Sequence, residues 1–213
     1  MPRRNRVDPW GDLHAVAVRG MFTGNRGCIV DGYERVVRHH ASRLWIACVT
    51  SFGDRRYPLA RPNRWTPIFF LDDAVALAAG HRPCGFCRRA DHHTYRDAVT
   101  AGVGAPGPLL ASELDRRLAG ERLRRGRGLD RASDRRLWSA AVRSLPSGTV
   151  VVPTGGHPHL LLDHELRPFT FVGWGAPAPR PPSGKITVLT PPTSVLALAN
   201  GFTPVLHASA GAD

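Results

Sequence analysis

Lysine is nearly missing from this chain. Lys185 is the only one in 213 residues, so the 29 basic side chains set against 17 acidic ones are otherwise arginine. A net charge of +12 favours a polyanionic partner, with nucleic acid first among them. No apolar run approaches the length of a membrane span, so no membrane partner is expected. The basic start Met1-Pro2-Arg3-Arg4-Asn5-Arg6 is followed by no apolar stretch, so it does not read as a secretory signal. Cysteine is scarce as well: Cys28, Cys48, Cys84 and Cys87 are all there are. Four thiols that include one close pair read as metal ligands in a reducing, cytoplasmic compartment rather than as a disulfide framework.

The close pair lies in His81-Arg82-Pro83-Cys84-Gly85-Phe86-Cys87-Arg88-Arg89. A Cys-x-x-Cys spacing lets two sulfurs approach one ion from a single tight turn, which suits tetrahedral zinc. The flanking Arg82, Arg88 and Arg89 favour the thiolate form that binds metal. Cys28 and Cys48 complete a four-sulfur set, with His39, His40, His92 and His93 as the substitutes. A zinc ion with four thiolates has no position for water, which argues against hydrolysis at the metal. The deaminase pattern of His-x-Glu ahead of Pro-Cys-x-x-Cys is absent, because Glu34 and His39 stand in the wrong order and spacing.

The run from Phe69 to Cys87 contains an aromatic strand, the helix end Ala76-Leu77-Ala78-Ala79-Gly80 and Arg82-Pro83-Cys84-x-x-Cys87. It resembles the second half of the Ada-type zinc-binding domain, over about residues 68–98. The resemblance implies an α/β domain with a four-thiolate zinc site that docks on DNA, in which one zinc-bound cysteine accepts a methyl group from a damaged phosphate. The family's first ligand pair is Cys-x-x-x-Cys. Here Cys28 is followed at that spacing by Gly32, and Cys48 by Phe52. By position Cys48 stands where the family's first ligand would.

The expected fold class is α+β in three parts: an Ada-like zinc half over 1–100, a basic helical segment over 101–145 and a β-rich region over 146–213. Strands are expected over 16–23, 33–37, 44–52 and 68–71, with a turn at Asp54-Arg55-Arg56. Asp72 caps a helix over 73–79 that Gly80 ends, and a second helix starts at Arg89. Gly/Pro richness over 101–108 suggests a hinge. Residues 109–145 read as helical, with Leu114, Leu118 and Leu123 on one face, an interruption at Gly126 and Gly128 and a further helix over 131–145. Strands follow over 149–152, 159–162, 167–172 and 186–189. The stretch 197–205 echoes 76–84, with Val205 in place of Cys84.

Arginine beside tryptophan suits phosphate contact with base stacking. The residues expected on nucleic acid are Arg26, Arg64, Trp65, Arg82, Arg88, Arg89, Arg122, Arg124 and Arg125. Catalytic candidates are diffuse: His157, Asp163, His164 and Glu165 as an acid/base cluster, several aspartates near the zinc half, and Lys185 as an amine nucleophile. Two function classes follow. One is a zinc-stabilised DNA-binding protein for damaged or modified DNA. The other is a repair enzyme, either a base-excision glycosylase or a thiolate methyl acceptor.

Overall fold

The computed structural model describes residues 2–53 and 63–211. The expected turn at Asp54-Arg55-Arg56 and the Arg61-Pro62 part of the arginine-rich loop lie outside the described residues. The chain builds two sheets with helices between and beside them, a mixed α+β architecture.

The first sheet uses β1 (Arg6–Val7), β2 (Leu13–His14), β3 (Phe22–Asn25), β4 (Ile46–Val49), β5 (Ile68–Phe70) and, after helix α1 (Asp73–Ala78), β6 (Arg82–Pro83). Their order is β2-β1-β5-β3-β4-β6, with β1/β5 and β4/β6 parallel and the other pairs antiparallel. Helix α1 is buried on every side, as its sequence Asp-Ala-Val-Ala-Leu-Ala demands. Asp72 caps it by accepting from the Val75 amide. Gly80 closes it at φ +86, a conformation a side chain resists, and the stem of Arg122 lies where a Cβ would go.

Helix α2 (Arg89–Gly102) and helix α3 (Ala111–Arg122) follow. The second sheet comprises β7 (Trp138–Ala141), β8 (Thr149–Val152), β9 (His159–Leu161), β10 (Glu165–Thr170), β11 (Gly173–Trp174), β12 (Ala178–Pro179) and β13 (Lys185–Val188), with helix α4 (Pro192–Ala199) after it. The order is β11-β10-β9-β8-β13-β7, and β12 pairs with β10. One core joins the sheets. Phe70, Val75 and Ala79 of the first half cluster with Val150, Leu160, Trp174 and Leu189 of the second. A satellite core packs Tyr95 and Val99 of α2 against Ala197, Leu198 and Phe202, and the Tyr95 hydroxyl lies 3.0 Å from Ser194 Oγ.

The expected helix over 109–145 is corrected. Only α3 is α-helical there; Trp138–Ala141 is an edge strand whose partner is β13, in the register Trp138↔Val188. The run stops before Gly126 and Gly128, as expected, but in place of the further helix over 131–145 the pairing to β13 outweighs the local helix preference of Arg and Leu. The expected strand over 33–37 reduces to a bridge between Val30 and Val36. The strand expected over 16–23 begins only at Phe22. The echo at 197–205 is real in form, since α4 also follows a strand and runs into a glycine at positive φ, Gly201.

Candidate metal centre and cationic groove

Strand β4 is the hinge of the site. It pairs with β3 so that Cys48 lies opposite Thr23, and with β6 so that Ala47 lies beside Pro83. The Cys84 amide then donates to the Ala47 carbonyl at 2.9 Å. This register carries the Cys84–Cys87 knuckle up to Cys48. The sulfurs of Cys48, Cys84 and Cys87 all lie within 4.8 Å of one another. The Arg88 amide returns to the Cys84 carbonyl at 3.1 Å and closes the turn, and α2 starts directly after it.

The donor set suits a soft or borderline divalent metal ion. The Phe86 amide donates to Cys84 Sγ at 3.4 Å, as expected around a thiolate. Donation from the Cys48 thiol lowers the pKa of Cys84, with help from the Cys87 and Phe86 amides, although burial opposes the shift. Cys48 is raised, first by that same bond and then by burial; Cys87 is raised by burial. Three touching thiols share protons in this way, and a cation takes their place when it binds.

Cys28 stands apart from this group, which corrects the four-sulfur expectation. It lies three residues beyond Asn25, the end of β3, and Asn25 pairs with Ile46 rather than with Cys48. The hairpin thus carries Cys28 away from the triad, and its thiol faces the Val30 carbonyl at 3.7 Å. The histidine substitutes are elsewhere too. His39 Nε2 lies 2.9 Å from both the Gly11 carbonyl oxygen, to which it can only donate, and Arg26 Nη1, from which it can only accept, and His40 packs edge-on to Trp45. His92 packs its ring against Gly85.

At the other end of β4, Trp45 is buried between two guanidinium groups. Arg26 lies 4.2 Å and Arg122 3.8 Å from its ring. Desolvated contacts of this kind are worth about 2 kcal/mol each. Arg26 is fully buried; burial, then repulsion from Arg122 and Arg135, pulls its pKa down to about 9. Arg122 donates to the Gly80 and Arg43 carbonyls, and Arg135 to those of Ala78 and Leu189. Arg82 forms a two-bond pair with Asp115, and Arg88 one with Asp73, at 2.6 and 2.8 Å. Arg26, Arg82, Arg88 and Arg122 therefore belong to the interior, which corrects their assignment to a nucleic-acid surface. Sequence reasoning counted them as charge because nothing local marks a buried arginine.

Outside this layer lies a groove of about 620 Å³. Six arginines line it: Arg43, Arg122, Arg124, Arg125, Arg131 and Arg136. Its lining includes no carboxylate. Arg131 is paired with Asp134, whereas Arg43, Arg124, Arg125 and Arg136 are exposed and form no ion pair among the described residues. Arg43, Arg131 and Arg136 were missed in the sequence; only the fold brings them beside the 122–125 run. Arg64 and Arg89 are exposed, and Trp65 is half-buried.

Asp163, His164 and Glu165 line a separate concavity of about 560 Å³ with Ser147, whose hydroxyl donates to Asp163 at 2.5 Å. His157 is not part of it and bonds to the Phe169 carbonyl. Lys185 is in β13, on a third concavity beside Trp10. Among the described residues, no helix is long and apolar enough to cross a membrane. Comparison with known proteins finds no matching family model, no matching curated protein and no matching solved structure.

Proposed function

We propose that this chain binds nucleic acid through the arginine groove and that a zinc ion held by Cys48, Cys84 and Cys87 stabilises the sheet that presents it. The observation that carries the reading is the groove itself: four exposed, unpaired guanidinium groups on one concave surface with no carboxylate in its lining. Such a surface exchanges condensed counterions for arginine along a phosphate backbone. The two features are joined through β4 and the residue before it. Trp45, three residues from Cys48, holds Arg122 against the groove floor. The resemblance to the Ada-type domain directs the reading toward DNA, and toward damaged or modified DNA in particular.

Binding of a fluorescent DNA duplex at increasing salt tests it. The expected slope of log affinity against log salt is about −0.9 for each phosphate neutralised. A flat response, or no binding at low salt, refutes it. Elemental analysis of the reduced protein tests the zinc separately; Cys84→Ser is expected to lose the ion and lower the unfolding midpoint, because structural zinc contributes folding free energy.

A second reading, a thiolate methyl acceptor, draws on the half-exposed sulfurs of Cys48 and Cys87. Incubation with methylated-phosphate DNA and intact-mass measurement decides it. A stoichiometric gain of one methyl group on Cys48 establishes that role, and an unchanged mass removes it.

A further inference from the structure

We propose that the metal centre keeps one coordination position for an exchangeable ligand from solution, and that this ligand is a thiol with an apolar body. The inference rests on the metal-centre reading above and extends it from a structural ion to a binding site.

The chain brings three sulfurs together, and tetrahedral zinc has four positions. The remaining cysteine is carried off by the register of the β3/β4 hairpin and faces Val30. The His92 ring lies beside Gly85 of the knuckle, but its nitrogens do not join the triad. Residues 54–62 contain neither cysteine nor histidine, so no further sulfur or imidazole comes from there. Zinc is borderline-soft and takes thiolate sulfur as readily as nitrogen or oxygen, so a free thiol is a competent fourth donor.

The surroundings specify the rest of the ligand. Cys48 and Cys87 are half-buried rather than sealed. Phe86, on the knuckle itself, is 62% exposed, and its ring lies 5.2 Å from that of Phe52, which is 37% exposed. Two exposed aromatic rings in contact at the rim of a metal site form an apolar seat. In the exchange, the bond from the metal to a solvent oxygen breaks and a bond to the incoming sulfur forms. The water leaves, the thiol proton passes to solvent, and no electrons are transferred.

Cobalt(II) in place of zinc in the full chain makes the exchange visible. The expected spectrum is that of three sulfurs with one lighter donor. Titration with benzyl mercaptan is expected to raise the sulfur-to-cobalt charge-transfer band saturably, in proportion as a fourth sulfur joins three. Phe86→Ala is expected to weaken that titration while leaving cobalt stoichiometry unchanged, and Cys28→Ser to match the unsubstituted protein throughout. Four sulfurs before any thiol is added, a spectrum that thiol does not move, or release of cobalt on its addition would each overturn the inference. If Cys28→Ser fails to fold, the sulfur count of the unsubstituted centre by X-ray absorption decides in its place. Failure to bind metal at all removes the centre as well as the inference. Failure to bind DNA leaves both standing.

Discussion

The arginines around Trp45 and those of the groove a few ångströms outside them are the same residue put to opposite uses. The inner set, Arg26, Arg122 and Arg135, donates to carbonyl oxygens, and Arg26 and Arg122 also lie on an indole face, while Arg26 Nη2 and Arg135 Nε and Nη1 are buried without a partner among the described residues. The outer set, Arg43, Arg124, Arg125 and Arg136, stays exposed and unpaired. A guanidinium tolerates both positions because it is weakly hydrated, planar and rich in donors. The difference teaches that net charge overstates the surface available to a polyanion. Part of this chain's +12 is interior structure, and only exposed arginines, the outer set among them, can release counterions.

The largest expected effect comes from turning an interior arginine into a hole. Arg88→Ala leaves the buried Asp73 carboxylate without its two-bond partner, a change that costs about 3–5 kcal/mol. Urea unfolding measures it, and a loss below about 1 kcal/mol would show that a buried, paired arginine matters no more to stability than an exposed one.

The pH dependence of stability comes next. Burial, then the charge of Arg26, holds His39 down to about 2 and His81 well below its usual value. Both stay neutral in the folded chain while the unfolded chain takes up protons below about pH 6.5. Stability from these groups is thus present above pH 6.5 and is lost as the pH falls. Asp72 opposes them: burial raises it to about 6, so its folded form keeps a proton that the unfolded chain has released above about pH 4. His14, raised by its bond to Asp8, opposes as well, since that stability is lost as the pH rises through its folded value. Two deeply buried imidazoles outweigh one carboxylate and a surface histidine. The melting temperature is expected to fall between pH 6.5 and pH 4, and a rise over that range would contradict the interior layer described here.

The smallest effect on stability, and the sharpest separation, is expected at the rim. Replacing Arg124, Arg125 and Arg136 together with alanine should change stability by no more than about 0.5 kcal/mol per site. The same triple variant should flatten the salt slope of DNA binding by about 2.7. A triple variant that unfolds, or that binds DNA with an unchanged slope, shows that the rim belongs with the interior.

Local chemistry made the knuckle readable. Cys84 and Cys87 carry their meaning in a two-residue gap, and Asp72 and Gly80 bracket α1 by capping rules that need no tertiary contact. Strand β8, over 149–152, stood out as four β-favouring residues between turn residues. What stayed hidden depends on register. Cys28 and Cys48 look equivalent in the sequence, and only the pairing of Thr23 with Cys48 separates them. Trp138–Ala141 passed for helix because its partner, β13, lies more than forty residues away. The groove was half visible, in the 122–125 run, because Arg43 and Arg136 reach it from other parts of the chain.

Asp72 has a consequence for how the chain is made. Its carboxylate caps α1 within three residues, yet it also accepts from Trp174 Nε1 at 2.6 Å and from the His207 amide at 3.1 Å. Those donors are synthesised 102 and 135 residues later. Until they emerge from the ribosome, the acid that starts the central helix has only part of its hydration replaced. A buried carboxylate short of donors is costly, so the first half gains stability at this point from the second. The two halves of the chain are thus joined at one carboxylate, and the capping of α1 is complete only when the second half is in place.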